Sequence, residues 1–339
     1  MTSFTHDADA GTTTLSEILR VYHDLSPNRF LGCYAYATQS GFRAFELEFG
    51  SNFWLSTSSR WLFGIDYGRT DPRALREIAR RKNTDVRIFD GAWVVNQEGF
   101  QPRRDFHAKV AIMENTTTKS SGIVLGSGNF SFNGLRRSVE AGTASIAKSK
   151  QEFKEQILSV RGAFEKFWDS STPLLVILDN YELRKASISS KSDTKKSKKK
   201  ANLGNIFWIE AGYVTKNRGE ESPGNQIFFP RGFREHFGYQ LKKSEKKNSV
   251  IGHVTFITAV GHEITNALRF NRNGMEKISL PIPETHGFGV YDGKVLVFER
   301  IGDKFFMKAI ESIEFEALYS NRLAGVKRMS GGRRYGVIV

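Results

Sequence analysis

Apolar and polar positions follow two different patterns along the chain. In residues 1–184, short apolar runs typical of strands alternate with segments whose apolar positions repeat every 3.6 residues, as in helices. The strand-like runs are FLGCYAYA, RWLFGIDYG, VRIFD, HAKVAIM, SGIVLGSGN and VEAGTASI, and the helix-like segments include FRAFELEF, TDPRALREIARR and KQEFKEQILSVRGAFEKFW. This alternation predicts an α/β domain in which helices flank a mixed sheet.

Several of the predicted helices carry further signals. Asp71 before Pro72 fits an N-cap followed by proline at the first helical position. Thr14 with Glu17 fits a capping box ahead of an earlier helix. The apolar positions of the helix at 150–168 are expected to be core or dimer contacts: Phe153, Ile157, Val160, Phe164 and Phe167.

The second half has a different pattern of apolar and polar residues. From residue 203 onward, the runs are short and rich in β-branched and aromatic residues, with Gly, Pro and Asn between them: NIFWIEAGYV, NQIFFP, VIGHVTFITAV, EKISLPIP, KVLVFERIG and KFFMKAI. This pattern predicts an all-β barrel or sandwich over 203–339. Residues 185–202 (KASISSKSDTKKSKKKAN) lack apolar periodicity and are dominated by Ser and Lys, so we predict an interdomain linker there.

Charge is distributed unevenly along the chain. The formal net charge is +14, but residues 1–184 hold 23 basic and 21 acidic side chains and are nearly neutral. Residues 185–200 hold seven lysines and one acid, and residues 201–339 hold 20 basic and 14 acidic side chains. A polyanion is therefore expected to bind the second half. Nucleic acid fits this charge, and anionic lipid headgroups would also satisfy it.

The composition excludes several classes of protein. The single cysteine, Cys33, cannot form an intramolecular disulfide and fits a reducing cytoplasm. No window approaches the roughly 18 apolar residues of a membrane helix, and no signal-peptide pattern is present. There is no P-loop pattern and no Cys/His cluster with zinc spacing. We expect a soluble, cytoplasmic protein with no membrane partner and no metal site.

The strongest chemical signal lies in residues 106–142. His107 and Lys109 are two apart on a predicted strand, so both side chains are expected on the same face. A second predicted strand ends in the small-residue turn 126–129, Gly-Ser-Gly-Asn, which would let a phosphate approach the backbone. Glu140 begins a further predicted strand.

These residue types suit phosphodiester chemistry. A neutral imidazole can attack phosphorus and form a phosphohistidine, which divides one difficult step into two. Lysine and asparagine can donate to the non-bridging oxygens, where negative charge develops. A carboxylate bonded to the other ring nitrogen would fix the tautomer of the histidine. Because side chains supply the positive charge, this chemistry requires no metal or other cofactor.

The segment resembles the signature of the phospholipase D superfamily, in which His-x-Lys is followed after four residues by an acid and later by Gly-Ser-x-Asn. The positions that match are His107, Lys109, Ser127 and Asn129. The acid position is Glu114, where the family usually has Asp, and Glu140 matches the later acid that orients the nucleophilic histidine in the nuclease branch. The resemblance implies a phospholipase D-like nuclease domain with His107 as the covalent nucleophile.

The resemblance also bears on assembly. The superfamily's active site uses two His-x-Lys motifs, one histidine as nucleophile and one as general acid. The other histidines of this chain are not followed by lysine two residues later: His6, His23, His236, His253, His262 and His286. Two chains are therefore expected to share one active site in a homodimer.

Over nearly its full length, the chain resembles BfiI-like restriction endonucleases, which join such a nuclease domain to a DNA-binding pseudobarrel of the plant B-three type. A related resemblance is to the NgoAVII and CglI type, whose nuclease subunit acts with an ATP-dependent helicase or translocase subunit. The resemblance implies two DNA-gripping arms, at 215–226 and 268–277. Candidate contacts to double-stranded DNA are Lys216, Asn217, Arg218, Arg269, Asn271, Arg272 and Asn273, with Lys327, Arg328, Arg333 and Arg334 near the C-terminal end.

Three functions remain open from the sequence. The first is a metal-independent, site-specific restriction endonuclease of a bacterial restriction–modification system. The second is another phosphodiesterase of the same superfamily that acts on a different substrate, such as a phospholipid or nucleotide, or only with an ATP-dependent partner. The third is a non-catalytic DNA-binding regulator with a degenerate nuclease domain. The complete set of His107, Lys109, Asn129 and Glu140 favours an enzyme, and the basic second half favours DNA.

Overall fold

The computed structural model of the chain describes residues 2–6, 11–193, 205–212, 214, 222–241, 246–271 and 273–339. The chain forms two compact units, Met1–Ser190 and Lys191–Val339.

The first unit is built on an eight-stranded mixed sheet. Its strands are β1 (Thr2–His6), β2 (Arg29–Tyr34), β3 (Ser58–Phe63), β4 (Thr84–Ile88), β5 (Lys109–Asn115), β6 (Ser120–Gly126), β7 (Glu140–Ala147) and β8 (Thr172–Pro173), in the spatial order β1-β7-β6-β5-β2-β3-β4-β8. Strands β2, β3 and β4 are parallel to one another, and the other neighbouring pairs are antiparallel. The predicted mixed sheet is confirmed.

In the described residues, seven α-helices accompany this sheet. They are α1 (Thr14–Leu25), α2 (Gln39–Ser56), α3 (Pro72–Ala79), α4 (Gly91–Val94), α5 (Lys150–Gln156), α6 (Leu158–Asp169) and α7 (Leu174–Asp193). Asp71 caps α3 as predicted, and its carboxylate accepts from the backbone N–H of Arg73 at 2.9 Å. The capping box of α1 lies one residue earlier than predicted, because Thr13 and Ser16 satisfy each other's backbone N–H groups.

One face of the sheet is covered by α1 and α2. At Gly122 of β6, a Cβ atom would lie 2.4 Å from Cγ1 of Val21, so glycine lets α1 approach the strand closely. Trp61 of β3 packs edge-on against Phe45 of α2, with ring centroids 5.4 Å apart. Both aromatic side chains are fully buried, so this layer is a large part of the apolar core.

The opposite face is covered by α5 and α6. Ile112 and Ile123 form a buried cluster with Phe164 and Trp168 of α6. The five apolar positions predicted from the helical period at 150–168 are buried in this cluster or pack against it. The predicted single helix is divided at Ile157, where the backbone leaves the helical region (φ −124°, ψ −37°).

The boundary of the predicted linker needs correction. Residues 185–193 continue α7, whereas the sequence assigned all of 185–202 to an extended linker. The Lys185 ammonium donates to the backbone carbonyl of Thr70 at 2.7 Å and holds the helix against the first unit. Because this contact is polar, the apolar periodicity of the sequence gives no indication of it. The rest of the predicted linker that precedes residue 203 lies outside the described residues.

The second unit contains a nine-stranded sheet. Its strands are β9 (Ile206–Glu210), β10 (Gln226–Phe229), β11 (Val250–Ile257), β12 (Glu263–Phe270), β13 (Glu276–Ser279), β14 (Lys294–Ile301), β15 (Lys304–Glu311), β16 (Leu323–Arg328) and β17 (Arg334–Ile338), in the order β10-β13-β12-β11-β15-β14-β9-β17-β16. Only β11 and β15 pair in parallel among these described strands. The described part of the unit is predominantly β but includes one α-helix, α8 (Ser312–Tyr319), which the predicted all-β unit lacked.

Two apolar clusters stabilise the second unit. The larger contains aromatic residues from several strands, including Phe207, Phe229 and Phe298. The smaller lies under α8, where Phe315 packs against Trp208 with ring centroids 4.7 Å apart. None of the helices in the described part of the chain has the length and apolar character needed to cross a bilayer.

A buried ion pair in the second unit generates a stability prediction. The Arg234 and Glu276 side chains are 0% exposed, with Nε and Oε1 2.7 Å apart, and Glu276 also accepts from the backbone N–H of Gly232. Removing one charge leaves the other buried without compensation, so Glu276→Gln is expected to lower the free energy of unfolding by about 3–5 kcal/mol. Native-state hydrogen exchange in the strands of the second unit measures the loss.

The matched control is Glu263→Gln, which removes an exposed ion pair with Lys304. This variant is expected to change the unfolding free energy little, because exposed pairs are screened by water. Equal losses in the two variants would contradict the importance of the buried pair.

Candidate active site

His107 and Lys109 meet at the beginning of β5. His107 lies two residues before the first residue of the strand, Lys109, whereas the sequence predicted both on the strand. The ammonium Nζ of Lys109 lies 2.7 Å from Nδ1 of His107 and also donates to the His107 backbone carbonyl at 2.9 Å. Lys109 is buried, at 7% exposure, and His107 is exposed. A buried cation is thus held against a solvent-exposed imidazole.

Burial and neighbouring charges lower the pKa of both Lys109 and His107. Burial lowers the pKa of the Lys109 ammonium to about 8; the Glu140 carboxylate opposes that change, and Arg69 adds to it. The positive charge of Lys109 is the main cause that lowers the pKa of His107 below its usual 6.5, with smaller contributions from burial and Arg69. The His107 imidazole is therefore expected to be neutral at neutral pH, as a nucleophile requires.

The contact with Lys109 also decides the tautomer of His107. A protonated Lys109 can only donate, so Nδ1 must accept and the ring proton must lie on Nε2. Attack by Nε2 on phosphorus requires the proton on Nδ1 instead. A nucleophilic Nε2 would therefore require Lys109 to turn from Nδ1 toward another acceptor.

The turn at 126–129 is held by close glycine packing. It lies against a single π-helical turn, Asn133–Arg137. A Cβ atom at Gly134 would lie 2.5 Å from both the backbone N and O of Asn129, and one at Gly128 would lie 2.2 Å from the carbonyl oxygen of Gly134. The side-chain oxygen of Asn129 is buried and has no hydrogen-bond partner among the described residues. Glycine at both positions therefore fixes where the Asn129 amide lies.

Glu140 lies in a different position from the one expected. The sequence predicted that its carboxylate would bind the second ring nitrogen of His107. In the structure, Glu140 accepts a hydrogen bond from the Ser127 hydroxyl, and Nδ1 of His107 is occupied by Lys109. The Ser127 hydroxyl also accepts from the backbone N–H of Ala141 at 3.1 Å. The Glu140 charge reaches Lys109 electrostatically, where it favours the protonated amine.

Glu114, the acid of the His-x-Lys signature, lies away from this centre. It is five residues after Lys109 on the same strand, so the two side chains point to opposite faces of the sheet. Its carboxylate contacts Nε of Arg161 on α6 at 2.5 Å. This ion pair joins β5 to the helix and gives Glu114 a structural role.

Sequence reasoning missed a loop that lies beside the histidine. The Tyr67 hydroxyl donates to the Asp105 carboxylate at 2.7 Å, and the Arg69 guanidinium lies over the Tyr67 ring at 5.4 Å from its centroid. Arg69 lowers the pKa of both His107 and Lys109, so its charge acts on the reactive pair. The sequence does show that a strand ends shortly before Asp66. That position points to a functional site only when the strand is known to be parallel and its neighbours in the sheet are known.

The candidate DNA contacts of the second unit differ in their surroundings. Arg269 on β12 is exposed, as are Lys327 and Arg328 on β16. Asn271 and Asn273 form a turn in which the Asn271 amide donates to Asn273 at 3.2 Å. The remaining candidates lie outside the described residues: Lys216, Asn217, Arg218 and Arg272.

Arg333, just before the last strand, and Arg334, its first residue, both make contacts within the second unit. Arg333 donates to the backbone carbonyl of Phe228 at 2.6 Å. Arg334 is 8% exposed and forms ion pairs with Glu210 and Glu316. Arg334 therefore stabilises the fold and is not available for the phosphate contact suggested by the sequence.

No protein-family model and no curated protein matches the sequence. Among solved structures, the chain is similar to NucT from Helicobacter pylori, at 16% identity and a TM-score of 0.35, and to Nuc from Salmonella typhimurium, a phospholipase D family member, at 12% and 0.34. Each match covers 51% of this chain and 97% of the other. A variant of yeast tyrosyl-DNA phosphodiesterase is similar at 11% identity and a TM-score of 0.30, over 66% of this chain and 56% of that one. Similarities this low carry no argument about function, which depends on the chain's own residues.

The contact between Lys109 and His107 generates a titration prediction. In an NMR titration, His107 is expected to have a pKa below 6.5, because protonating it places a second positive charge beside Lys109. Lys109→Met should raise the pKa of His107, and Lys82→Met, at an exposed position, should leave it unchanged. A pKa at or above 6.5 in the unaltered protein, or no change in Lys109→Met, would contradict this electrostatic account.

Proposed function

We propose that the protein hydrolyses phosphodiester bonds of DNA without a metal ion, through a covalent phosphohistidine at His107. The observation that carries the proposal is the 2.7 Å contact between Lys109 Nζ and His107 Nδ1, which joins a buried cation to an exposed imidazole. The resemblance of the sequence to the phospholipase D signature supports the same chemistry.

The reaction begins when a phosphate oxygen draws Lys109 away from Nδ1. The proton of His107 then resides on Nδ1, and Nε2 attacks phosphorus. A P–N bond forms as the P–O bond to the leaving oxygen breaks. Lys109 and the Asn129 amide donate to the non-bridging oxygens, where charge accumulates in the transition state. Glu140 helps to keep Lys109 protonated for this task.

The leaving oxygen requires a proton, which we assign to His107 of a second copy. A lowered pKa makes the protonated form of that imidazole a stronger acid toward the leaving oxygen. Water then transfers a proton to the partner's His107 and attacks phosphorus as the P–N bond breaks. The products are a phosphate monoester and an alcohol, and both histidines return to their starting states. One site is thus shared across a homodimer.

We propose that the second unit selects the DNA sequence, which would make the protein a restriction endonuclease. The excess of basic side chains in 201–339 supports DNA binding, as do the exposed Arg269, Lys327 and Arg328. The assignment of this unit to the plant B-three type is part of the proposal and comes from the sequence resemblance.

Plasmid cleavage in EDTA tests the chemistry. The unaltered protein is expected to make discrete cuts, and His107→Ala should abolish them, because the covalent intermediate cannot form. Acid-quenched reactions on labelled DNA should contain no stable adduct, whereas alkaline quenching should retain a protein–DNA adduct, as a phosphohistidine requires. His23→Ala, which alters an exposed histidine on α1, is the matched control and should cleave normally.

The other outcomes of this experiment are informative. Sequence-selective binding without cleavage would contradict cleavage by this chain alone and would favour an ATP-dependent helicase or translocase partner. Absence of both cleavage and preferential DNA binding would exclude the DNA nuclease and move the chemistry to another phosphodiester.

Mixed dimers test the shared site. If each site needs His107 from both copies, mixing unaltered protein with His107→Ala at constant total concentration should lower activity as the square of the unaltered fraction. The subunits must first be exchanged, for example by co-refolding. A linear decrease would show that each copy is active by itself and would contradict the shared site.

A further inference from the structure

We propose that Arg69 is a further catalytic residue, a second cation that binds the non-bridging oxygens of the scissile phosphate, and that Tyr67 and Asp105 position it. The inference rests on the proposed phosphodiesterase function. It assigns a role to a loop that lies outside the His-x-Lys signature.

The sheet topology places Arg69 at the reactive edge. Tyr34 at the end of β2 pairs with Phe63 of parallel β3 on one side and with Lys109 of antiparallel β5 on the other. The chain leaves β3 immediately after Phe63 and reaches Arg69 six residues later. The end of β3 and the beginning of β5 therefore lie at the same edge of the sheet, and the Arg69 loop starts across β2 from Lys109.

The loop is bonded to the segment that carries the histidine. The buried Asp66 carboxylate accepts from the backbone N–H of Phe106, the residue before His107, at 2.8 Å. The backbone N–H of Arg69 donates to the Asp66 carbonyl at 3.1 Å. The same aspartate thus contacts both segments, which fixes the Arg69 backbone relative to His107.

Tyr67 and Asp105 form a support for the guanidinium. Tyr67 adopts a left-handed backbone conformation (φ 56°), which is unusual for a non-glycine residue and is retained only where the surroundings impose it. The hydrogen bond from its hydroxyl to Asp105 orients the ring, and the Arg69 guanidinium lies over that ring. This stacking restricts the arginine while leaving its N–H groups able to donate.

The charge of Arg69 is suited to a phosphate. Its side chain is exposed, and no carboxylate lies within ion-pair distance of it in the described part of the chain. Its charge lowers the pKa of both His107 and Lys109, so it lies close enough to act electrostatically on both groups. A planar guanidinium can donate two parallel hydrogen bonds to phosphate oxygens, a geometry that lysine cannot supply.

Kinetics with two substrates test the assignment. Bis(p-nitrophenyl) phosphate has one phosphodiester and no neighbouring phosphates, and a labelled oligonucleotide has both. Arg69→Gln is expected to lower kcat on both substrates by about 100-fold, the order found when one transition-state donor is removed, with a smaller change in KM. Arg69→Lys should recover part of the loss, and Tyr67→Phe, which keeps the ring but loses the Asp105 bond, should lower kcat several-fold.

A pH profile separates this role from a structural one. Because Arg69 lowers the pKa of His107, Arg69→Gln should move the acidic limb of kcat/KM to higher pH. Arg80→Gln, at an arginine that is 64% exposed just after α3, is the matched control and should leave kcat and the profile unchanged. Thermal unfolding should be the same in both variants.

Three results would overturn the assignment. Unchanged kcat on the small diester would exclude contact with the scissile phosphate, and a loss confined to KM on the oligonucleotide would place Arg69 on a neighbouring phosphate. A lower unfolding temperature in Arg69→Gln, with full activity in Arg69→Lys and no shift in the pH profile, would show a structural role. If the unaltered protein cleaves neither substrate in EDTA, the proposed function itself fails.

Discussion

The site depends on an ammonium that the fold buries. Lys109 is the first residue of β5, between β2 and β6, where little water reaches its side chain. Removing water disfavours its charged form, and the nearby Glu140 carboxylate offsets part of that cost. The same burial brings Nζ against Nδ1 of His107, and the charge of Lys109 lowers the pKa of the imidazole. The protonation states of Lys109 and His107 are therefore coupled.

Because of this coupling, Glu140 has a different role from the carboxylate of a catalytic triad. In a serine-protease triad, the carboxylate bonds directly to the histidine and fixes its tautomer. Here, Glu140 binds the Ser127 hydroxyl and acts on His107 only through the charge of Lys109. The tautomer is consequently controlled by Lys109, which in the proposed reaction moves from the imidazole to a phosphate oxygen. In that reaction, substrate binding and activation of His107 would be one event.

The helix that leads out of the first unit is connected to the same site. Lys185 on α7 donates to the carbonyl of Thr70, the residue after Arg69. Asp66, at the other end of this short loop, is bonded to the backbone just before His107. The loop is thus held by hydrogen bonds at both ends, and most of them involve polar groups that no hydrophobic pattern reveals.

The sequence by itself determined the mixed α/β character of the first unit, the β-rich second unit and the residues of the chemical signature. These features depend on residues that are close together in the chain, as in the apolar repeat of a strand or helix or in a short motif. It also located Asp71 as a cap, since capping depends on residues a few positions apart. It could not determine the strand order, so it missed Arg69 and Tyr67 and assigned the wrong hydrogen-bond partner to Glu140. Only the tertiary structure decided these points, because contacts between distant segments depend on which strands pair and on how burial distributes charge among them.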